Sequence, residues 1–480
     1  IRYLTVDQAR FLDYKFFQEA NTYDMVVVIA GVTVPGKYLG GKPLTIKELE
    51  EWFKIIDKPV KVLAGPAAKF GIGTIGGRLD EIEEFIIRGT RIVLQHPNYG
   101  LNLIAEIETY RGCPRAITGG CSFCIEPLYG LPKFRKQKCI VREIEELYGL
   151  GVKFFRLGRQ PDIFTYRAEG VGDIEYPKPK PEEIEKLFYG IRNVAPNLKT
   201  LHIDNVNPGT VANHPKEARE VAKVIVKYHT PGDVAAFGVE SVDPVVVKLN
   251  NLKVTMEEAL KAVEIINEIG AQRGYNGLPE LLPGINLLFG LKGETKETYR
   301  INFEFLKRIV ERGLMIRRIN IRQVMVFPAT RMWDIGDRVI RRHKRYFKSF
   351  KAKVKKEIEP RLLRKLVPKG TVLKEVFTEK YIGEYTYARQ VGSYPLILKI
   401  PEKLPLHVFT NFTIVDYEHR SAIAIPYPLN VNRAKRKLLE LIPNISHNDV
   451  LNILKNRPFK SMSQLSLVIK SKNCIKYLSI

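Results

Sequence analysis

The sequence predicts an α/β protein built around a partial (β/α)6 barrel, with an N-terminal doubly wound α/β domain, a C-terminal small β-barrel and a helix-hairpin-helix. Three observations predict this architecture: strand-like segments alternate with amphipathic helices in the middle of the chain, a buried strand precedes a glycine-rich loop near its start, and short β segments precede a helical pair near its end. We expect domains at 1–100, 101–335, 370–429 and 430–480, with a basic helical linker at 336–369.

The N-terminal segment has the pattern of a doubly wound domain that lacks its first strand. A strand-like stretch at 2–6 precedes a helical one, and 23–30 has the continuous apolar character of a buried parallel strand. The glycine-rich loop 31–41 follows, then a predicted helix at 45–56 and a strand at 60–66. The glycines can cradle a phosphate or a cobalamin tail, or they can simply form tight turns. Because the chain does not begin with methionine, we expect residues ahead of it.

The middle of the chain shows six strand-like segments that alternate with amphipathic helices. Such alternation predicts a parallel, barrel-like sheet, in which the residues just past the strand C-termini line one site. The predicted strands are 104–110, 153–157, 200–204, 234–239, 285–289 and 319–326. The predicted helices are 141–148, 181–194, 216–228, 256–269 and 296–312.

Polar residues and glycines occur at the predicted strand ends, where they would share one rim of the barrel. Each of them alone is explained equally well as a helix cap or a turn former. Their common placement favours a role for several of them in binding cofactor or substrate. The residues are Gly158, Arg159, Gln160, Asp204, Asn205, Asn207, Glu240, Ser241 and, within the fifth strand, Asn286.

The segment R-G-C-P-R-A-I-T-G-G-C-S-F-C, residues 111–124, contains three of the five cysteines of the chain, Cys113, Cys121 and Cys124. Three thiolates at this density can hold an iron–sulfur cluster or a soft metal ion. A structural zinc site would need a fourth cysteine or a histidine close by, but no histidine lies between residues 96 and 202. The missing ligand indicates an open coordination position, as a reactive cluster requires.

The composition is that of a globular protein from a reducing compartment. Of the 480 residues 45% are hydrophobic, but no apolar run approaches the roughly 18 residues of a membrane span and no signal peptide pattern is found. The two scattered cysteines cannot build a disulfide framework. We therefore expect a cytoplasmic protein with no membrane partner.

The net charge of +25 is concentrated in the C-terminal third of the chain. Residues 338–369 hold fourteen basic and two acidic side chains, and residues 430–480 hold ten and two. This distribution predicts a surface for a polyanion, with the solvated basic face of a thermostable protein as the alternative. The expected nucleic-acid contacts are Arg341, Arg342, Lys344, Arg345, Lys348, Lys351, Lys353, Lys355, Lys356, Arg433, Lys435 and Arg436.

Three motifs of the central region resemble those of the radical S-adenosylmethionine (SAM) superfamily. They are the three-cysteine loop with Phe123 before its last cysteine, F-G-V-E-S at 237–241, and P-G-I-N-L-L-F-G-L-K-G-E-T at 283–295. The match is closest to the archaeal branch described as Fe–S oxidoreductases with a C-terminal helix-hairpin-helix. The resemblance spans 104–328 and implies that the central domain is a radical SAM barrel.

The resemblance also implies a [4Fe-4S] cluster whose three irons are bound by Cys113, Cys121 and Cys124, while the fourth iron binds the amino and carboxylate groups of SAM. An electron from the cluster, supplied by a donor protein, then cleaves SAM to give a radical that abstracts hydrogen from an unactivated carbon. Phe123 is implied to lie near the adenine. The remaining expected cofactor contacts are Gly158, Arg159, Gln160, Asn205, Glu240, Ser241 and Asn286.

Two departures from the family pattern affect this site. The first pair of cysteines is commonly separated by three residues, whereas seven residues separate Cys113 from Cys121. The tripeptide at 158–160 is Gly-Arg-Gln where Gly-Gly-Glu is usual. Longer first spacings are tolerated elsewhere in the superfamily, so the ligand assignment stands, but the loop must follow a different path.

Two C-terminal segments resemble modules that contact nucleic acids. Short β segments in 370–428 resemble the TRAM barrel appended to tRNA methylthiotransferases, and 433–465 resembles a helix-hairpin-helix. The usual Pro-Gly-Ile-Gly turn of the hairpin is Pro-Asn-Ile-Ser here, at 443–446. Without the glycines a phosphate approaches the backbone less easily, so the hairpin either binds a phosphate or packs against protein.

Together these features predict a radical enzyme that modifies RNA, with tRNA as the first candidate, by methylthiolation or methylation. Methylthiolation uses a second cluster on three N-terminal cysteines, and no cysteine precedes Cys113. Cobalamin-dependent methyl transfer suits an N-terminal α/β domain, but no Asp-x-His-x-x-Gly motif is present. The alternatives are a radical enzyme with a protein or small-molecule substrate, and a nucleic-acid- or ribosome-associated protein with a structural cluster.

Overall fold

The computed structural model describes residues 1–30, 42–65, 68 and 79–480. The glycine-rich loop 31–41, for which a phosphate, a cobalamin tail or tight turns were considered, lies outside the described residues. Within the described ranges, no helix combines the length and the apolar character that crossing a membrane requires.

The N-terminal segment contains α1 (Val6–Leu12), α2 (Tyr14–Ala20), β1 (Met25–Ile29), α3 (Ile46–Ile55), β2 (Val60–Ala64) and α4 (Leu79–Gly89). β1 and β2 pair in parallel, as the doubly wound pattern predicts. The expectation that the first of these strands is buried is wrong, because Met25, Val27 and Ile29 on one face of β1 are exposed among the described residues. The strand predicted at 2–6 is wrong. The Thr5 hydroxyl accepts a hydrogen bond from the Gln8 backbone N–H, and the Gln8 side chain accepts one from the Thr5 N–H. This capping box begins a helix at Val6 instead.

The predicted six-unit barrel is confirmed. The strands of this region are β3 (Ile104–Glu108), β4 (Tyr110–Arg111), β5 (Lys133–Phe134), β6 (Phe154–Gly158), β7 (Thr200–Ile203), β8 (Asn205–Val206), β9 (Asp233–Glu240), β10 (Leu281–Phe289) and β11 (Arg318–Gln323). β4 and β5 form a separate antiparallel pair outside the barrel sheets. β3, β6 and β7 form one parallel sheet, and β8, β9, β10 and β11 form another in that order. Asp204 alone separates β7 from β8 in the chain, so the two sheets continue each other around the barrel.

The helices of this region are α5 (Gln137–Gly149), α6 (Pro181–Val194), α7 (Pro208–Asn213), α8 (Pro215–Tyr228), α9 (Pro244–Asn250), α10 (Met256–Gly270) and α11 (Lys296–Glu311). Most of them cover the outside of the barrel, whereas α9 packs against the cysteine loop. Phe155 and Leu157 of β6 belong to the core between sheet and helices. Because successive side chains of a strand alternate, Arg156 and Gly158 face the interior instead.

The basic segment predicted as a linker forms α12 (Arg338–Glu357) and α13 (Glu359–Leu366). α12 packs on the barrel, where the rings of Phe289 and Phe350 have centroids 4.9 Å apart. Ile340 in its first turn packs beside the cysteine loop, and α13 contributes to the core of the following domain. A 20-residue helix is about 30 Å long, so α12 runs from the mouth of the barrel to that domain.

The predicted small β-barrel is confirmed. Its strands are β12 (Val372–Ile382), β13 (Tyr385–Gln390), β14 (Ile397–Ile400), β15 (Phe409–Tyr417) and β16 (Ser421–Tyr427). They close in the order β12-β13-β14-β16-β15, with β14 and β16 parallel and all other neighbours antiparallel. This is the strand order of the oligonucleotide-binding (OB) fold, a five-stranded Greek-key barrel.

The last segment holds β17 (Leu429–Asn430), α14 (Arg436–Leu439), α15 (His447–Asn456), α16 (Met462–Val468) and β18 (Leu478–Ser479). The Ser446 hydroxyl caps α15 by accepting from the Asp449 N–H, and the Asp449 carboxylate accepts from the backbone N–H groups of Lys470 and Ser471. A carboxylate therefore occupies the helix start where a hairpin of this kind would hold a phosphate. This favours the protein-packing interpretation of the hairpin.

Candidate active site

The three-cysteine loop lies at the mouth of the barrel, directly after the first strand. The Cys113 N–H donates to the Gly130 carbonyl at 2.9 Å, and the Cys124 N–H donates to the Cys121 carbonyl at 3.2 Å. Burial, together with the nearby Cys121 thiol, raises the pKa of Cys113 to about 11 and that of Cys124 to about 12. The three sulfurs thus interact with one another, and together they become thiolates when bound cations compensate their charge.

The seven residues between Cys113 and Cys121 form a compact turn. Pro114–Thr118 is a short 3₁₀ helix, after which Gly119 and Gly120 have φ values of 77° and 60°. A Cβ atom on Gly120 would lie 2.3 Å from the Pro127 ring, so this position requires glycine both for its backbone angle and for space.

Arg115, within this turn, is 2% exposed and contacts a cysteine sulfur directly. Its Nη1 donates to Cys121 Sγ at 3.1 Å, and its Nη2 donates to the Asn251 carbonyl at 2.9 Å. Its Nε donates to Glu175 Oε1 at 2.8 Å. The long first spacing therefore brings a buried cation to the cysteine loop and ties that loop to the segment after α9.

We expect Arg115→Met to lower the reduction potential of the reconstituted cluster by roughly 60 mV, or ~1.4 kcal/mol for one electron, because a nearby cation favours the more negative, reduced form. Arg115→Lys retains the charge and should shift the potential less. The measurement is an anaerobic potentiometric titration monitored by electron paramagnetic resonance, with Arg219→Met on the outer helix α8 as the control. An unchanged potential in Arg115→Met would mean that Arg115 only holds the loop.

The donor set at the mouth fits a cluster better than a single ion. Iron–sulfur clusters are held by cysteine thiolates, and the donors that this loop brings to the mouth are three cysteine sulfurs, one of which accepts a hydrogen bond from the buried Arg115. Cys113, Cys121 and Cys124 are the residues that would hold a [4Fe-4S] cluster.

Lys253, in the segment between α9 and α10, is a second cation of the mouth and was not among the predicted residues. Its side chain is 19% exposed; its Nζ donates to the Gly238 carbonyl at 2.9 Å and lies 3.8 Å from Glu240 Oε1. A Cβ atom on Gly238 would lie 2.5 Å from this Nζ. Burial opposes the charge on Lys253, but Cys121 and Glu240 raise its pKa overall. The mouth therefore holds a protonated amine beside the cysteines.

Gln160 and Asn205 meet at the rim, where Asn205 Nδ2 donates to the Gln160 carbonyl at 3.1 Å. The Gln160 side chain is fully buried, and its amide donates to the Leu157 carbonyl at 3.0 Å. Asp162, which the sequence did not single out, accepts from the Thr210 hydroxyl at 2.7 Å. Burial raises the pKa of Asp162 to about 6.

The other predicted rim residues differ in placement. Ser241 is buried against α11, where Asn302 Nδ2 donates to its hydroxyl at 3.1 Å. Arg159 has φ of 66°, and its Nε lies 4.0 Å from Glu108 Oε2. Asn207 caps α7 by accepting from the Gly209 N–H at 2.9 Å. The structure thus brings Glu240, Gln160 and Asn205 to the mouth but turns Ser241 away, and contact of these residues with a cofactor stays a prediction.

A loop of the small barrel closes the end of the central barrel that lies opposite the cysteine loop. Tyr394, between β13 and β14, donates from its hydroxyl to Asp204 Oδ1 at 2.6 Å. The Arg318 guanidinium lies over the Tyr394 ring at 3.2 Å from its centroid. Nearer the mouth, Asn286 Oδ1 accepts a hydrogen bond from Asn320 Nδ2 at 3.1 Å. The interior wall is thus polar from the loop of the small barrel towards the mouth.

Phe123 belongs to an apolar cluster that covers the cysteine loop from one side. The cluster includes Cys121, Val324, Met332 and Ile340. The Met332 N–H donates to the Ser122 carbonyl at 3.1 Å, so the segment between β11 and α12 is bound to the loop. The start of α12 therefore lies beside the candidate active site.

All twelve side chains predicted to contact nucleic acid are exposed. Nine lie on α12. The other three lie in the segment after β17, up to and including the first residue of α14. Arg341 pairs with Asp337 at 3.1 Å and Lys435 pairs with Glu402 at 3.3 Å. Pairs this exposed contribute little and leave the face positive.

Comparison with known proteins places this geometry in a family. The family model described as Radical SAM superfamily matches residues 107–306. An uncharacterized protein of Methanocaldococcus jannaschii is 48% identical over 467 residues, covering 88% of this chain and 85% of that protein. An uncharacterized protein of Archaeoglobus fulgidus is 40% identical over 499 residues, covering 100% of this chain and 92% of that protein.

Solved structures that match part of the chain include the radical S-adenosylmethionine methyltransferase TsrM from Kitasatospora setae, with tryptophan substrate and a SAM analog bound. Its TM-score is 0.44 at 16% identity, and the match covers 67% of each chain. Coproporphyrinogen III oxidase (HemN) from Escherichia coli matches with a TM-score of 0.37 at 15% identity, over 63% of this chain and 70% of that one.

Proposed function

This chain belongs to the radical SAM superfamily, and on that basis we propose that it modifies RNA at an unactivated carbon by methyl or methylthio transfer. The observation that supports an RNA substrate is the exposed basic face of α12, a helix that begins beside the cysteine loop. The transfer of a methyl or methylthio group rests on the resemblance to RNA-modifying members of the superfamily.

The residues of the mouth have distinct roles in this proposal. When bound, the [4Fe-4S] cluster and SAM supply the radical that abstracts hydrogen. Cys113, Cys121 and Cys124 would hold the cluster, and Lys253 with Glu240 would orient the charged groups of SAM. Phe123 and the segment packed on it exclude water from one side of the mouth.

The length of the basic face suits a folded RNA better than a small anion. α12 presents nine predicted contact residues over about 30 Å, which is several times the spacing of successive phosphates along a nucleic-acid strand. Arg342, Arg345 and Lys348 follow one another at three-residue intervals, and no described carboxylate pairs with any of them. A polyanion along this face would place nucleotides at the barrel mouth.

The small barrel offers a second nucleic-acid surface at the other end of α12. In OB folds, oligonucleotides bind on the face of the second and third strands, which are β13 and β14 here. Tyr385 and Tyr387 lie on the outer side of β13, and Lys399 Nζ lies 4.8 Å and 5.9 Å from their ring centroids. Lys437 Nζ lies 5.6 Å from the Tyr385 ring. Aromatic rings interleaved with cations are the usual elements of single-strand binding.

Mass spectrometry of total RNA nucleosides from cells with and without this protein tests the proposal. We expect one modified nucleoside to disappear in the deletion, to return with the wild-type chain and to stay absent with Cys121→Ala. If the purified protein cleaves SAM while the RNA nucleosides are unchanged, the substrate is a protein or a small molecule instead.

A further inference from the structure

A large cavity lies at the end of the barrel opposite the cysteine loop. It is bounded by the first residues of β6 and β7 and by β12, β15 and the β13–β14 loop of the small barrel. Its volume is about 600 Å³, within the range of small-molecule sites. No residue of the mouth lines it, so it is separate from the candidate active site.

Arg317, immediately before β11, lines this cavity and lacks a partner in the described part of the chain. The residue is 8% exposed, and its Nε is buried without a hydrogen bond. No described side chain forms a salt bridge with its guanidinium. Burial, together with the adjacent Arg318, lowers the pKa of Arg317 to about 10, and the group is still charged at neutral pH. Buried charges in proteins are normally paired.

The other titratable groups of the cavity do not neutralise Arg317. The Ser393 N–H donates to His202 Nδ1 at 2.8 Å, so the proton of His202 is on Nε2, which donates to the Thr230 carbonyl at 3.0 Å. Burial lowers the pKa of His202 to about 4, and the ring is neutral. Glu375, the carboxylate of the lining, pairs with Lys199 at 2.6 Å.

The lining therefore has a positive excess together with an aromatic wall. Besides Arg317, the lining contains the cations Lys153 and Lys374, while Lys199 and Glu375 neutralise each other. The rings of Phe154 and Phe409 stack with centroids 6.0 Å apart and planes at 17°. An arginine fork binds phosphate through two parallel hydrogen bonds, and a dianion suits such an excess of charge better than a single carboxylate.

We propose that this cavity binds a small organic phosphate, with its phosphoryl group on Arg317 and its organic part against Phe154 and Phe409. The site does not depend on the RNA proposal, because it lies at the opposite end of the barrel. Residues from the barrel and from the small barrel both line it, so the ligand bridges the two domains.

Isothermal titration calorimetry of the full chain with inorganic phosphate and with phenyl phosphate tests this site. SAM is kept at saturation, and potassium chloride at equal ionic strength gives the baseline. We expect both anions to bind, with phenyl phosphate about tenfold tighter because its ring meets the aromatic wall. Arg317→Met should weaken both by about tenfold or more, whereas Arg219→Met on α8 should have no effect. Arg317→Met should also raise the unfolding midpoint in phosphate-free buffer.

Lys374→Gln, on the exposed side of the cavity, keeps the test valid if Arg317→Met does not fold. This variant should weaken phenyl phosphate binding at least about threefold. The proposal is overturned if neither anion binds at millimolar concentration in the presence of SAM, or if the folded variants bind phenyl phosphate as tightly as the wild type.

Discussion

Cys121→Ala is expected to abolish the visible absorbance of the anaerobically reconstituted protein and its production of 5′-deoxyadenosine from SAM. Cys121 is one of the three expected cluster ligands, and its sulfur accepts a hydrogen bond from the buried Arg115. Loss of an outer-shell partner commonly costs roughly 10- to 100-fold in metal affinity or activity, and loss of a direct ligand should cost more. Iron content, absorbance and product yield are measured on the same sample.

The matched control for this variant is Cys139→Ala. Cys139 lies in the first turn of α5, outside the cysteine loop. It should leave cluster content and 5′-deoxyadenosine yield unchanged. Full SAM cleavage by Cys121→Ala would contradict the assignment of the cluster to this loop, as would equal losses in both variants.

A triple variant of α12, Arg342→Gln with Arg345→Gln and Lys348→Gln, is expected to weaken RNA binding by about a hundredfold at low salt. Each lysine or arginine that neutralises a phosphate releases counterions, so the slope of log K against log salt should become shallower by about 2 to 3. Affinity is measured by fluorescence anisotropy on labelled tRNA over a series of salt concentrations.

The control for α12 removes the same charge from another helix of the barrel. The control variant combines Lys216→Gln, Lys223→Gln and Lys227→Gln. All three lysines are exposed on α8. If binding depends on α12 itself, this variant keeps most of its affinity and its slope. Equal effects of the two triple variants would mean that RNA responds only to net charge, and unchanged affinity in the α12 variant would remove the main support for an RNA substrate.

Elements that depend on local signals were predictable from the sequence. A helix was predicted at 181–194 and α6 has those bounds, because Pro181 suits a first helical position and the apolar residues recur with helical spacing. The cysteine loop was predicted at a strand end because parallel barrels gather strand ends at one mouth. The domain limits and the nucleic-acid contacts stay predictions.

Features that depend on contacts between distant segments were not predictable. Arg115 reaches the Asn251 carbonyl 136 residues away, and Tyr394 reaches Asp204 190 residues away. Lys253 lies between helices rather than at a strand end, so no strand pattern pointed to it. The strand predicted at 2–6 failed for the opposite reason, since a local capping box outweighs strand propensity there.

Transfer of deuterium from RNA to 5′-deoxyadenosine tests the central claim most directly. RNA is prepared from cells that lack the protein and are grown in deuterated medium, then incubated anaerobically with the reconstituted enzyme, SAM and a reductant. If the radical abstracts hydrogen from RNA, the 5′-deoxyadenosine carries one deuterium and its yield rises with added RNA. If the 5′-deoxyadenosine contains no deuterium and its yield is unaffected by RNA, the chain is a radical SAM enzyme whose substrate is not RNA.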